Sequence, residues 1–124
     1  MEIINTSCSK IIIQNDGLVY VEYLKAAKMT LVEQEENLEQ LLLRKKELSG
    51  LFIINFSNIL SFTPKARKFV LDSRVNEITR ATAVLIGSPL SKLLANILIK
   101  KTNTLFPLQA FTDRTKAELW LKSI

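Results

Sequence analysis

Two places in this sequence set a hydroxyl, a proline and a lysine at what reads as the start of a helix. They are Thr63-Pro64-Lys65 and Ser88-Pro89, the second with Lys92 one turn on. A hydroxyl at the cap and proline in the first helical position is the ordinary way to open a helix. The same arrangement can do chemistry. The free amides and positive dipole end of a helix hold an anion, and a nearby lysine strengthens the attraction. An exposed hydroxyl there can also be phosphorylated. Thr63 and Ser88 are therefore candidate anion-binding or modification sites, with Ser61, Pro64, Lys65, Lys68 and Lys92 around them. Against this stands the plain account that each hydroxyl only caps its helix, a contribution of about 1 kcal/mol. If the strands leading to the two helices are neighbours, both starts would converge on a shallow anion site. Open α/β sheets carry such sites beyond the carboxyl ends of their strands.

Other chemistry is thin. The chain has no histidine, so the usual general base, metal ligand and physiological pH switch are missing together. The single cysteine, Cys8, allows no internal disulfide and no cysteine-based zinc site. Asp72, Glu77 and Asp113 fall at helix ends or in a loop, where solvated charge is expected, and Asp16-Gly17 reads as a turn. No nucleophile–base pair can be drawn. The expectation is a protein that is not an enzyme and carries no cofactor or metal. Lys65, Arg67, Lys68, Arg74 and Arg80 crowd around the helix after Pro64. Nucleic-acid binding would want exposed aromatics among them. Phe69 falls instead on the apolar stripe with Ala66, so a solvated basic face is expected, with an acidic protein partner second and nucleic acid excluded.

The elements that position these residues come from a chain of 124 residues, net charge +5 and 48% hydrophobic, with 3 Gly and 3 Pro. This is one domain, 1–124, large enough to bury a core. It has no apolar run long enough to span a membrane. The start MEIINTSCSK lacks the layout of a signal peptide, so a cytoplasmic location is expected. Lys10–Gln14 and Leu18–Leu24 read as strands joined at Asn15-Asp16-Gly17, an antiparallel hairpin, and Ile3-Ile4 as a short edge strand. Thr30 and Glu33 form a capping box. A helix with Leu31, Leu38, Leu41, Leu42 and Leu48 on its apolar face runs from there to Ser49-Gly50. Leu51–Phe56 reads as a central strand, followed by a loop and a helix from Thr63 to about Asp72. Ala81–Ile86 reads as another strand. The next helix places Leu90, Leu93, Leu94, Ile97 and Leu98 on one stripe. A last strand, Leu108–Phe111, precedes a helix ending near Lys122, with Ala117, Trp120, Leu121 and Ile124 inward. Strand–helix alternation after a hairpin predicts an α/β domain: a mixed, mostly parallel sheet of about five strands and about four helices.

Several segments carry a resemblance. Asn55 to Arg67, NFSNILSFTPKAR, is similar to the central signature of STAS domains of the anti-sigma-factor antagonist type. On that overlay Asn55 and Thr63 stand where the family has Asp, Pro64 and Lys65 where it has two serines, and Ala66 where it has Gly. Ala83-Val-Leu-Ile-Gly-Ser-Pro, Ala95-Asn96, Pro107-Leu-Gln-Ala-Phe-Thr-Asp and Glu118-Leu-Trp-Leu resemble small bacterial proteins described as STAS/SEC14-like or SpoIIAA-like. The resemblance runs from Leu18 to the C-terminus. It implies a SpoIIAA-like fold and a regulatory role through protein interaction. The family's phosphorylated serine falls on Pro64 or Lys65, which cannot take the phosphate. The expectation is thus an interaction module without that trigger, whose surface is Ser61–Lys68 with Gly87–Lys92 beside it. The alternative is a small-anion or lipid-headgroup binder. The aliphatic surplus of Leu90–Lys101, with Phe106 in the following loop, predicts a homodimer through that helix and loop.

Overall fold

In the computed structural model, which describes residues 1–124, Asp16 and Gly17 reverse the chain as their types require. Gly17 takes φ 86°, and the Asp16 carboxylate accepts the Leu18 amide at 3.1 Å. This sets β2 (Ser9–Ile13) antiparallel to β3 (Val19–Tyr23). The edge strand expected at Ile3-Ile4 is present as β1 (Glu2–Asn5), antiparallel to β2. Beyond the hairpin the sheet is parallel, through β5 (Leu51–Asn55), β7 (Ala81–Leu85) and β8 (Leu108–Phe111). Its order is β1-β2-β3-β5-β7-β8, six strands rather than five.

A second, two-stranded sheet was not foreseen. β4 (Ala27–Met29) pairs in parallel with β6 (Ile59–Phe62). The segment expected to be a plain loop before Thr63 is therefore half strand. The run Ile59-Leu60-Ser61-Phe62 is too short and too mixed to announce itself, and only its partner β4, itself three residues long, gives it a ladder.

Five helices complete the molecule: α1 (Leu31–Leu42), α2 (Pro64–Lys68), α3 (Ser73–Ile78), α4 (Pro89–Lys101) and α5 (Arg114–Lys122). The capping box forms: Thr30 accepts the Val32 amide at 3.3 Å, and Glu33 accepts the Thr30 amide at 3.0 Å. α1 stops at Leu42, short of the expected Ser49-Gly50. Lys45–Glu47 form a 3-10 turn, and the Ser49 amide donates to Gly17 at 3.0 Å, which ties the exit of the helix to the hairpin turn. The helix expected to run from Thr63 to Asp72 breaks into α2, a 3-10 turn over Phe69–Leu71, and α3. Asp72 does not end a helix; it caps the start of α3, accepting the Arg74 amide at 2.9 Å.

Alternation along the strands sorts the side chains onto two faces. Val19, Val21, Phe52 and Val84 face α1 to α4 within one large core, while Tyr20, Ile53, Ala81 and Ala83 face α5 within a smaller one. Ala81 and Ala83 are fully buried, and their small size lets Ala117 and Leu121 of α5 lie directly on the sheet. Trp120 and Phe111 close that core with ring centroids 5.5 Å apart.

Candidate functional site

All three crossovers, through α1, through α2–α3 and through α4, lie on one face of the sheet. The strand order accordingly advances without reversal. A crevice for a ligand opens beyond the strand ends where the order reverses and neighbouring helices part to opposite faces. This sheet has no such point.

The two helix starts are placed as caps. Thr63 accepts the Ala66 amide at 3.1 Å, and its own amide donates to Met29 at 3.0 Å. Ser88 accepts the Ser91 amide at 3.1 Å, while the Ser91 hydroxyl accepts the amides of Gly87 and Ser88 at 3.0 and 2.9 Å. Ser91, fully buried and absent from the sequence reading, thus completes the Ser88 cap. The two starts do not share a site through α2 and α4. The Arg67 guanidinium on α2 donates to the Lys101 carbonyl at 3.0 Å and to the Thr102 hydroxyl at 2.8 Å, at the C-terminal end of α4. Ser88 caps the opposite end, about 20 Å away along the helix.

Ser61, Thr63, Pro64, Lys65, Lys68, Ser88 and Lys92 are all exposed. None of the three lysines forms an ion pair. The apolar stripe of α4 divides. Leu94 and Leu98 are buried with Ser91 and Ala95, but Leu90 is 40% and Leu93 55% exposed. The helix is turned by about one position from the orientation its stripe predicts. It places small Ser91 and Ala95 where the sheet approaches, which leaves Leu90 and Leu93 as an uncovered ridge. Phe106 does not join that surface. It is buried, and Leu105, 83% exposed, is the apolar residue the loop presents.

Within the larger core lies a cavity of about 120 Å³ that is partly open to the surface. It sits between the helix-covered face of the sheet and α1, α2, α3 and α4. Eighteen of the twenty-three residues lining it are hydrophobic, and Arg67 is the one charged residue among them. Interiors usually pack without voids of this size. Arg67, expected on a solvated basic face, instead borders this cavity; its place three residues before Val70, on the flank of the apolar stripe, is the signal for it. Asn37, buried in the middle of α1, was also missed. Its carbonyl oxygen accepts the Ser9 hydroxyl at 3.0 Å and fastens the β1–β2 turn to the helix.

Titratable groups give little chemistry. Burial pushes the Cys8 thiol above its ordinary value, against weaker opposing hydrogen bonds from Thr6 and Ser9, so it is a poor nucleophile. Burial likewise pushes the Tyr23 hydroxyl up. No group of His, Cys, Asp or Glu is placed to hold a metal ion, and no helix is long and apolar enough to cross a membrane.

Residues 11–124 match the family model described as Domain of unknown function (DUF7793). The chain belongs to that family. The DUF7793 chain is also similar to a solved structure from Shewanella loihica PV-4, described as an uncharacterised protein of the DUF3478 family with a SpoIIAA-like fold. The TM-score is 0.55 at 16% identity, over 97% of this chain and 90% of that one. At that identity the likeness concerns the fold, and the DUF7793 chain has the SpoIIAA-like, STAS-like fold that its sequence resembles. No curated protein matches it.

Proposed function

We propose that this DUF7793 domain is a non-enzymatic regulatory module that acts by binding a protein partner. One observation carries the reading: Leu90 and Leu93 form an apolar ridge on α4 that no part of the chain covers. Exposed large side chains that gather on one element, rather than scattering singly, mark surfaces that meet a partner. β6, which packs against α4, adds exposed Leu60, and Lys92 stands on α4 between the two leucines without a carboxylate partner; Lys65 and Lys68 on α2, which Arg67 ties to the far end of α4, are exposed and equally unpaired. An apolar ridge with unpaired lysines on its own helix and on α2 suits a partner with acidic groups, which speeds encounter and sets orientation. A second copy of the chain would meet the same ridge in the isologous arrangement of twofold dimers. Small-anion or lipid-headgroup binding at the two helix starts is the weaker reading, since at each start the cap hydroxyl already takes one of the amides an anion would use.

The test compares wild type with Leu93→Glu and with Lys65→Glu/Lys68→Glu, by light scattering at tens of micromolar and by affinity capture from the native host. Both variants should lose the partner while keeping the wild-type circular dichroism and melting temperature. Retained binding in the Leu93→Glu variant would remove the ridge from the account. A wild-type monomer that still captures a partner would assign the ridge to a different protein, not to a second copy.

A further inference from the structure

We propose that the interior cavity is a binding site for a small monocarboxylate carrying one aromatic ring, with Arg67 taking the carboxylate. The site lies away from the α4 ridge and does not depend on it.

Size sets the first limit. About 120 Å³, partly open to the surface, has room for one ring, with the carboxylate left at the mouth beside Arg67. Pockets for drug-sized ligands begin at about 300 Å³, so a full lipid tail is too large for this one. The lining sets the second. Phe52, Phe56, Phe62, Phe69 and Phe106 all line it, which leaves Phe111 as the one phenylalanine elsewhere. Rings arranged around a ring-sized space offer the edge-to-face contacts that aromatic groups prefer.

Charge sets the third. Both hydrogen bonds of Arg67 leave from one nitrogen, Nη1. Nε and Nη2 have no acceptor in the protein, and no carboxylate comes within 4.0 Å of the guanidinium. A guanidinium with that edge unpaired is the donor pattern that meets a carboxylate with two parallel bonds. No acidic residue lines the cavity to compete for Arg67 or to attract a cation. Lys65 and Lys68 on the same short helix add positive potential for the approach of an anion. Part of the wall over the cavity is built of short helical pieces: α2 with five residues, a 3-10 turn with three, and α3 with six. Such pieces open locally more readily than a continuous helix.

Phenylacetate is the probe, with phenylacetamide as its uncharged counterpart, and methyl-detected NMR on the intact chain is the readout. Phenylacetate should saturably shift the methyl signals of Leu41, Val84 and Leu98, which line the cavity. Phenylacetamide should bind wild type about tenfold more weakly, since a hydrogen bond to a charged group is worth that factor or more. Arg67→Gln should lower the affinity for phenylacetate about tenfold and leave phenylacetamide unchanged. Ala66→Leu, which fills the cavity from α2, should abolish both. Comparing acid and amide on wild type needs no variant, so a misfolded substitution does not spoil the test. Equal affinity for acid and amide would overturn the proposal. So would shifts confined to surface lysines, no methyl shift at all, or binding only by long-chain fatty acids or phosphatidylglycerol vesicles.

Discussion

Asp72 shows how far a single residue departs from its first reading. Its position after Leu71 suggests the tail of a helix, yet it caps the next one and joins Arg74, which also reaches Glu35 at 2.8 Å. The hydrogen bond from the Arg74 side chain, then the one from its amide, holds the Asp72 carboxyl down at about 2, from 3.8. A lowered carboxyl stabilises the fold above its unfolded value, and that contribution is lost as pH falls through the folded value. Wild type should therefore lose melting temperature between about pH 4 and about pH 2 through this group. Asp72→Asn keeps a competent cap without the charge. Its melting temperature should be lower near neutrality, and its loss over that acid range smaller; equal slopes in a pH series of thermal melts would show the pair to be inert. Thr63 and Ser88 went the other way. Their types and the prolines after them announced caps, and caps are what they are, because an N-cap is decided within four residues of chain.

At the scale of elements, local signals succeeded where the partner was local. The Asp16-Gly17 turn is the clearest case, and the fold asks more of it than a hairpin would. A Cβ on Gly17 would stand 2.7 Å from the Ser49 amide nitrogen and 2.8 Å from the Glu47 carbonyl, both backbone atoms that cannot give way. Gly17→Ala should cost about 2 kcal/mol or more in urea unfolding, through the left-handed backbone and that collision together. Asp16→Asn, which keeps the turn chemistry, should change little. Signals failed where the partner was distant. β4 and β6 exist because they find each other across thirty-odd residues, and nothing within either segment says so. The break after Lys68 failed for a related reason: Ala66, Phe69 and Ile78 must all reach the same core, and one straight helix cannot deliver them.

For the whole molecule the deciding feature is that the chain winds in one direction across the sheet and keeps four helices on one side. That removes the crevice expected between Thr63 and Ser88 and leaves α5 alone on the opposite face. The second face depends on Ala81 and Ala83 being small. Ala83→Leu should lift α5 from the sheet at a cost of about 1–3 kcal/mol, the usual range for overpacking. Trp120 fluorescence should report it by a red shift; an unmoved spectrum with unchanged stability would mean that α5 is held by its ends instead.

The sequence by itself determined the class of the fold, the hairpin, the helix starts and the central strands. These follow from periodicity, cap chemistry and composition, which act over a few residues at a time. Only the tertiary structure decided which side of α4 faces solvent, that Phe106 goes inward while Leu105 stays out, and that Arg67 borders an apolar cavity rather than a free basic face. The physical reason is common to all three. A leucine, a phenylalanine or an arginine is compatible with either environment on its own, and the choice belongs to whatever distant segment packs against it.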